Sequence, residues 1–292
     1  MILAEEWPLM TFTMLAQLAI GTFIVLMIIK ALLGNKDTEA ANSLTKLGFT
    51  VVGPLTILAL LFSLFHLGDP LGAYRSILNL GSSWLSREII TVGGFLGLWA
   101  LFWLTIRKNQ PNAFLGWLTA LLGLVGILSM ANIYSSSVRP AWADPNTLIT
   151  FLGTTFALGV LGAISTIVYS LKGKSLLTVV TKALKDVSYI GIAAIVLPLA
   201  YLPIFKSGLR GSGDAAAEAS VQILNDSMTM LVMRGLFSVV GIALLVYILN
   251  KQSKNSQEFP VGLIYLALGL VFVGEFVGRY LFYAWGVSPI IG

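Results

Sequence analysis

Long apolar runs dominate the chain, and each is long enough to cross a lipid bilayer. A hydrocarbon layer roughly 30 Å thick needs about 20 apolar residues in a helix, because each residue rises roughly 1.5 Å. Read with that window, the sequence predicts eight membrane-spanning helices. They run approximately over Trp7 to Leu33, Leu47 to Leu67, Ile89 to Ile106, Phe114 to Tyr134, Leu148 to Leu171, Tyr189 to Phe205, Met228 to Leu249 and Val261 to Trp285.

Composition supports the same fold class. Of the 292 residues, 57% are hydrophobic and 11% are charged, and the mean hydropathy is +0.89. These values lie far outside the range of soluble globular proteins. The sequence therefore predicts an all-α integral membrane protein, a single domain over residues 1–292 that forms a bundle of about eight transmembrane helices. Within the sixth segment, Pro198 and Pro203 predict a kink.

The distribution of basic residues predicts how the bundle is oriented. Eleven lysines and arginines fall in the loops after the first, third, fifth and seventh segments, and five fall in the loops on the other side. Basic loops stay in the cytoplasm, so both termini are predicted on the outer, periplasmic side. The net charge of +5 is thus a signal of topology, and no nucleic-acid partner is needed to explain it.

Two loops on the predicted outer side are long enough to be ordered. Leu71, Tyr74 and Leu78 have helical spacing, which suits a short helix in the plane of the interface. In the loop between segments 6 and 7, Ser212 and Asp214 are candidate helix starts before an alanine-rich run. We expect these two loops to form the docking surface for a partner.

The absence of cysteine and the scarcity of histidine limit the cofactors that this protein can hold. Cysteine is absent, which excludes disulfides, thiolate zinc sites and ordinary iron–sulfur clusters ligated by this chain. His66 is the only histidine, and a bis-histidine haem requires two. We therefore expect neither haem nor an iron–sulfur cluster in this chain, and no metal site.

His66 and Glu88 are candidate proton acceptors at the outer membrane surface. His66 closes the second segment and Glu88 opens the third, so the loop between them can bring the two side chains together. Oxidation of a quinol releases protons, and imidazole or a partly desolvated carboxylate can receive them near neutral pH. The alternatives are that His66 is a hydrogen-bonding anchor and that Glu88 is a carboxylate favoured at a helix start.

Other charged residues lie inside predicted spans, where they are costly. Glu275 and Arg279 are four residues apart on the last helix, so they are expected to share a face and neutralise each other. Arg234 is expected to reach toward the outer interface. Gln17 and Tyr134 add hydrogen-bonding capacity on the first and fourth segments.

Four stretches of the sequence together resemble one known family. They are EEWPLMTFTMLAQLAIGTFIVL, FHLGDP followed by WLSREI, NIYSSSVRPAW, and VGEFVGRYLFY. These stretches resemble the membrane anchor subunit of the dimethyl sulfoxide reductase family, which holds a molybdenum catalytic subunit and an iron–sulfur subunit at the bacterial inner membrane. The similarity runs from end to end. It implies eight helices with both termini outside, and oxidation of menaquinol on behalf of the partners.

The resemblance also implies site residues. By match to the HLG-x-P motif and the glutamate after it, His66 and Glu88 are the catalytic residues of quinol oxidation. The full set expected to bind quinol is His66, Gly68, Asp69, Arg75, Glu88, Arg234, Glu275 and Arg279. The family pattern often has a basic residue two positions after the proline, where this chain has Gly72. Arg75 lies one turn further on.

Three other functions are compatible with the sequence. A related anchor could serve a reductase of polysulfide, tetrathionate or selenate. A secondary transporter could use Arg234, Glu275 and Arg279 to line a substrate path, but it would be expected to have paired broken helices in two related halves, and the sequence shows one kinked segment and no repeat. The third is a structural tether without a quinol site.

Overall fold

The computed structural model describes residues 2–34, 38–65, 77–172, 178–255 and 259–289. Within these ranges the regular structure is helical. The helices are α1 (Ile2–Gly34), α2 (Thr38–Leu64), α3 (Trp84–Arg107), α4 (Ala113–Ser135), α5 (Asn146–Ser170), α6 (Thr178–Gly211), α7 (Ala215–Asp226), α8 (Met228–Asn255) and α9 (Val261–Ala284).

The eight predicted spans are confirmed as eight long apolar helices. All the helices except α7 are long and apolar enough to cross a membrane. An even number of crossings returns the chain to its starting side, so both termini lie at one face, here called the terminal face. Hydrogen bonds tie that face together: Arg139 donates to the Gly286 carbonyl over 2.8 Å, and Ser220 on α7 donates to the Trp285 carbonyl over 2.8 Å.

Helices α1 and α5 form the centre of the bundle: in each of them, 83% of an apolar stretch of 18 residues is buried inside the protein. Glycines let the two backbones meet. A Cβ at Gly21 would clash with the Thr155 carbonyl, and a Cβ at Gly159 would lie 2.6 Å from the Gly21 carbonyl oxygen. Close approach of small residues is how helices pack where surrounding lipid removes the hydrophobic driving force between them.

Aromatic rings fill the space between α1, α2 and α3. Phe23, Phe49 and Phe102 pack edge to face, with ring centroids 5.0–5.5 Å apart, an arrangement that aromatic quadrupoles favour. The Trp99 indole lies on Gly53 and donates to the Phe49 carbonyl over 2.7 Å. These contacts hold α3, which carries one of the predicted site residues, against the centre of the bundle.

Helix α6 is longer than predicted. The segment expected over Tyr189 to Phe205 is a continuous helix from Thr178 to Gly211, with Pro198 and Pro203 inside it. The first three turns of α6 bury apolar residues on one side only, so the mean hydropathy of these turns is too low to predict a membrane-spanning helix there. The buried residues are Val180, Ala183, Leu184 and Val187. Gly153 of α5 lies against the Ala194 carbonyl, which Pro198 deprives of its usual donor.

The two predicted outer loops have different outcomes. In the second, Asp214 caps α7 by accepting a hydrogen bond from the Ala216 N–H over 2.7 Å, as expected. In the first, Leu71 and Tyr74 lie outside the described residues. Leu78 lies in a turn just before α3 and is 73% exposed.

Candidate functional site

Glu88 lies at the start of the second turn of α3 and is 5% exposed. Its neighbour Arg87 turns away, since its guanidinium donates to the carbonyls of Leu80 and Gly81 and stacks on Trp84 at 4.2 Å. Among the described residues, no hydrogen-bond donor or cation contacts the Glu88 carboxylate. A buried carboxylate of this kind is able to accept a hydrogen bond, and then a proton, from a ligand.

A pair of buried tyrosines lies within electrostatic range of Glu88. The hydroxyls of Tyr134 on α4 and Tyr283 on α9 share a hydrogen bond of 2.6 Å. Trp142 packs edge-on against both rings. The pair therefore places two adjustable O–H groups beside the terminal face, inside an aromatic wall.

Arg279 lies one turn deeper on α9 and is 3% exposed. Its Nη2 donates to the Gln17 Oε1 over 2.8 Å, and the Gln17 amide donates to the Phe151 carbonyl over 2.9 Å. The guanidinium carbon lies 3.9 Å from the centroid of the Phe151 ring. The Nε and Nη1 of Arg279 are buried and have no acceptor among the described residues. Two cationic N–H groups are thus available to a ligand oxygen or to water.

Glu275 lies deeper in the membrane than Glu88, the tyrosine pair and Arg279. It is about 14 Å from the C-terminal end of α9, at roughly 1.5 Å per residue. Its carboxylate pairs with the Arg234 guanidinium of α8 at 3.7 Å. It also accepts from Thr154 Oγ1 over 2.7 Å and from Ser238 Oγ over 3.0 Å. One carboxylate therefore joins α5, α8 and α9 near the middle of the membrane.

This arrangement corrects two expectations. Glu275 and Arg279 do not form an ion pair with each other: the ion-pair partner of Glu275 is Arg234, and Arg279 bonds to Gln17. Arg234 does not reach the interface either, since it is 5% exposed within the bundle. Sequence spacing gave Glu275 one candidate partner on its own helix, whereas packing against α8 supplies a nearer cation.

The glycines of the GE-x-x-GR motif explain how α8 and α9 accommodate these charges. A Cβ at Gly278 would lie 2.5 Å from Arg234 Nε and 2.9 Å from its Cζ. A Cβ at Gly274 would clash with Ser238 Oγ. Because neither glycine has a side chain, the Arg234 guanidinium lies directly on the α9 backbone, within reach of Glu275.

Four of the eight predicted site residues lie among the described residues. Glu88, Arg234, Glu275 and Arg279 are all buried in the half of the bundle next to the terminal face. The other four, His66, Gly68, Asp69 and Arg75, lie outside the described residues.

Sequence reasoning missed Tyr283, Thr154 and Ser238. Tyr283 had a usable signal, because it lies four residues after Arg279 on the same helical face. Thr154 and Ser238 gave none, since an isolated hydroxyl residue in an apolar span usually bonds its own backbone. No group of three or more histidine, cysteine, aspartate or glutamate side chains suited to a metal ion occurs in the part of the chain that the structure describes.

Comparison with known proteins gives one consistent family. The family described as DMSO reductase anchor subunit (DmsC) matches residues 3–285. The C subunit of the anaerobic dimethyl sulfoxide reductase of Haemophilus influenzae is 28% identical, over 95% of this chain and 94% of its own length. The corresponding C subunit of Escherichia coli is 29% identical, over 99% and 96%. The YnfH subunit of E. coli anaerobic dimethyl sulfoxide reductase is 26% identical, over 99% and 96%.

Proposed function

The chain belongs to the DMSO reductase anchor subunit family, and from this premise we propose that it oxidises menaquinol and passes the electrons to an iron–sulfur partner subunit. Membership makes it a multi-pass protein of the bacterial inner membrane and the anchor of a reductase complex. The proposal adds the substrate, the route of the electrons and the fate of the protons.

The observation that carries the proposal is the burial of the Glu88 carboxylate, which has no hydrogen-bond donor among the described residues and lies within electrostatic range of Tyr134 and Tyr283. Oxidation of one quinol to quinone releases two electrons and two protons. Glu88 accepts a proton from one quinol hydroxyl, and His66, placed nearby in sequence, is the candidate acceptor for the other. Glu88 lies near the start of α3, close to the terminal face, and the sequence predicts His66 on the same side, so the protons leave there.

Arg279 has a role in holding the quinol ring. Its Nε and Nη1, which have no acceptor among the described residues, offer two donors to the ring oxygen that becomes a carbonyl as the electrons leave. Such donors stabilise developing negative charge more strongly in a water-excluded site. Glu275 and Arg234 help to position Arg279, since their ion pair holds α9 against α8 one turn further into the membrane.

We place the terminal face in the periplasm because of the basic bias of the opposite loops. The iron–sulfur subunit and the molybdenum catalytic subunit then dock on the outer side, where Leu78 and Val138 are 73% and 72% exposed. Protons released from quinol and protons consumed by the catalytic subunit are on the same side. The overall reaction is electroneutral and builds no membrane potential.

We propose dimethyl sulfoxide as the terminal acceptor because the similar proteins carry that name. A related reductase of polysulfide, tetrathionate or selenate would use the same quinol chemistry. Assay of the purified complex with each acceptor separates these possibilities, and the fastest turnover identifies the substrate.

The quinol site is tested with Glu88→Gln and His66→Ala in the assembled complex. Two activities are measured: reduction of the acceptor by a menaquinol analogue, and reduction by an artificial donor that feeds the partner directly. We expect each variant to lose about 100-fold or more of the quinol-dependent activity, the contribution of a general base, while the artificial-donor activity is unchanged.

Glu218→Gln is the matched control, because Glu218 is an exposed glutamate of α7 on the same face. It should leave both activities intact. Full quinol-dependent activity in Glu88→Gln would refute the assignment of Glu88, and loss of both activities would show a defect of assembly instead of proton transfer.

A further inference from the structure

A polar cavity of about 570 Å³ opens at the face opposite the termini, far from the proposed quinol site. It lies between the end of α1, the beginning of α2 and the connection from α3 to α4. Lys30, Asn42, Lys46 and Asn109 line it, together with Glu39. None of these residues has a part in the site described above.

The described lining of the cavity carries a surplus of positive charge, with two lysines and one glutamate. Lys30 is half-buried, and its ammonium lies 5.7 Å above the Phe102 ring. Lys46 makes a long hydrogen bond of 3.4 Å to the Asn109 Oδ1. Among the described residues, neither lysine is ion-paired with Glu39, so both ammonium groups have donors to spare for an anion.

The rest of the lining suits a ligand that is amphipathic. Phe49, Ile106 and Pro111 provide an apolar wall next to the lysines. The Asn42 Oδ1 is buried and has no donor among the described residues. A ligand that supplied an anionic oxygen to the lysines and a hydroxyl to Asn42 would satisfy both needs.

We infer that this cavity binds an anionic phospholipid of the leaflet opposite the terminal face. The phosphodiester lies between Lys30 and Lys46, a headgroup hydroxyl donates to Asn42, and the acyl chains start against the apolar wall. The class that fits is phosphatidylglycerol, which combines one negative charge with headgroup hydroxyls. The helix ends at this cavity lie at headgroup level, where basic pockets between transmembrane helices recognise such lipids.

The test uses the full-length protein purified in detergent and mixed with equal amounts of phosphatidylglycerol and phosphatidylcholine. Native mass spectrometry then counts the retained lipids. We expect the unmodified protein to retain phosphatidylglycerol preferentially. The double variant Lys30→Gln with Lys46→Gln should reduce that retention about tenfold or more, because each basic residue near an anionic headgroup contributes roughly a fivefold change.

The matched control is Lys108→Gln with Lys182→Gln, which removes two exposed lysines of the same face outside the cavity. It should keep the preference within about twofold, and Lys30→Arg with Lys46→Arg should keep it as well. Equal retention by the cavity variant and the control would overturn the inference. Displacement of the lipid by millimolar inorganic phosphate would also overturn it, since the site would then take free phosphate.

A second measurement needs no substitution. The unmodified protein is placed in nanodiscs of phosphatidylcholine with or without phosphatidylglycerol, and its thermal unfolding is followed. A ligand bound only by the folded state raises the unfolding midpoint. Identical midpoints in the two bilayers would refute the site. Neither measurement involves quinol, so the result stands apart from the proposed function.

Discussion

Arg234 and Glu275 lie 3.7 Å apart on neighbouring helices, and the backbone of Gly278 is the surface that the guanidinium rests on. The pair is buried at both ends, with 6% and 5% of the two side chains exposed. Each buried charge is stabilised by the other, because removal of one leaves the other desolvated and unpaired. The stability of the α8–α9 contact therefore depends on the pair as a unit.

A double-mutant cycle tests this dependence. Glu275→Gln and Arg234→Gln should each lower the free energy of unfolding by about 3–5 kcal/mol, the usual cost of breaking a buried pair from one side. The combined variant should cost less than the sum, since no unpaired charge remains. Chemical unfolding in detergent measures all three, and strict additivity would argue against coupling.

Gly278→Ala tests how closely the Arg234 side chain packs on the backbone of α9. The new Cβ would lie 2.5 Å from Arg234 Nε, so the guanidinium must shift away from Glu275. We expect a loss of about 1–3 kcal/mol, typical of overpacking. Gly269→Ala on the same helix is the control, since nothing lies within 4 Å of its added Cβ. Equal unfolding midpoints for the two variants would contradict the packing described.

Gly21→Ala should be more damaging than Gly278→Ala. At Gly21 the obstacle is the Thr155 backbone carbonyl, which cannot turn aside as an arginine side chain can. The α1–α5 contact must open, and we expect a lower yield of folded protein and a lower unfolding midpoint. The control is Gly97→Ala on α3, where the added Cβ meets no neighbour. A Gly21→Ala protein as stable as this control would refute the close approach of α1 and α5.

Tyr283→Phe tests whether the hydrogen-bonded pair of Tyr134 and Tyr283 takes part in the reaction. It removes one hydroxyl of the 2.6 Å bond and leaves that of Tyr134 unpaired, which costs roughly 1–3 kcal/mol for a buried polar group. If the pair lines the quinol site, quinol-dependent turnover should also fall while artificial-donor turnover is kept. Tyr280→Phe, three residues earlier on α9, is the control. Unchanged quinol kinetics in Tyr283→Phe would place the pair outside the reaction.

Much of the fold was predictable because membrane crossing imposes a simple rule. Backbone polar groups must be paired within each segment, so apolar length alone located all eight spans. The cap of α7 was also predictable, since Asp214 precedes an alanine-rich run. The extra turns of α6 were not, because one-sided burial of Val180, Leu184 and Val187 disappears in an average over the window.

The site was only partly predictable for a different reason. Glu275 and Arg279 are recognisable as costly residues in an apolar span, but the sequence does not say which helix lies beside them. The choice of Arg234 over Arg279 as the partner of Glu275 depends on tertiary packing, and on two glycines whose significance appears only when α8 is in place. Local spacing identified the charges, and neighbouring helices decided their pairing.

The bond between Gln17 and Arg279 has a consequence for biogenesis. It joins α1 to α9, which is synthesised after all the other described helices. Until α9 is inserted, the Gln17 Oε1 lacks its arginine partner, although the Gln17 amide can already bond to the Phe151 carbonyl of α5. A nascent protein arrested before α9 should therefore keep an unsatisfied polar group inside the bundle and be degraded by membrane proteases faster than a protein that contains α9.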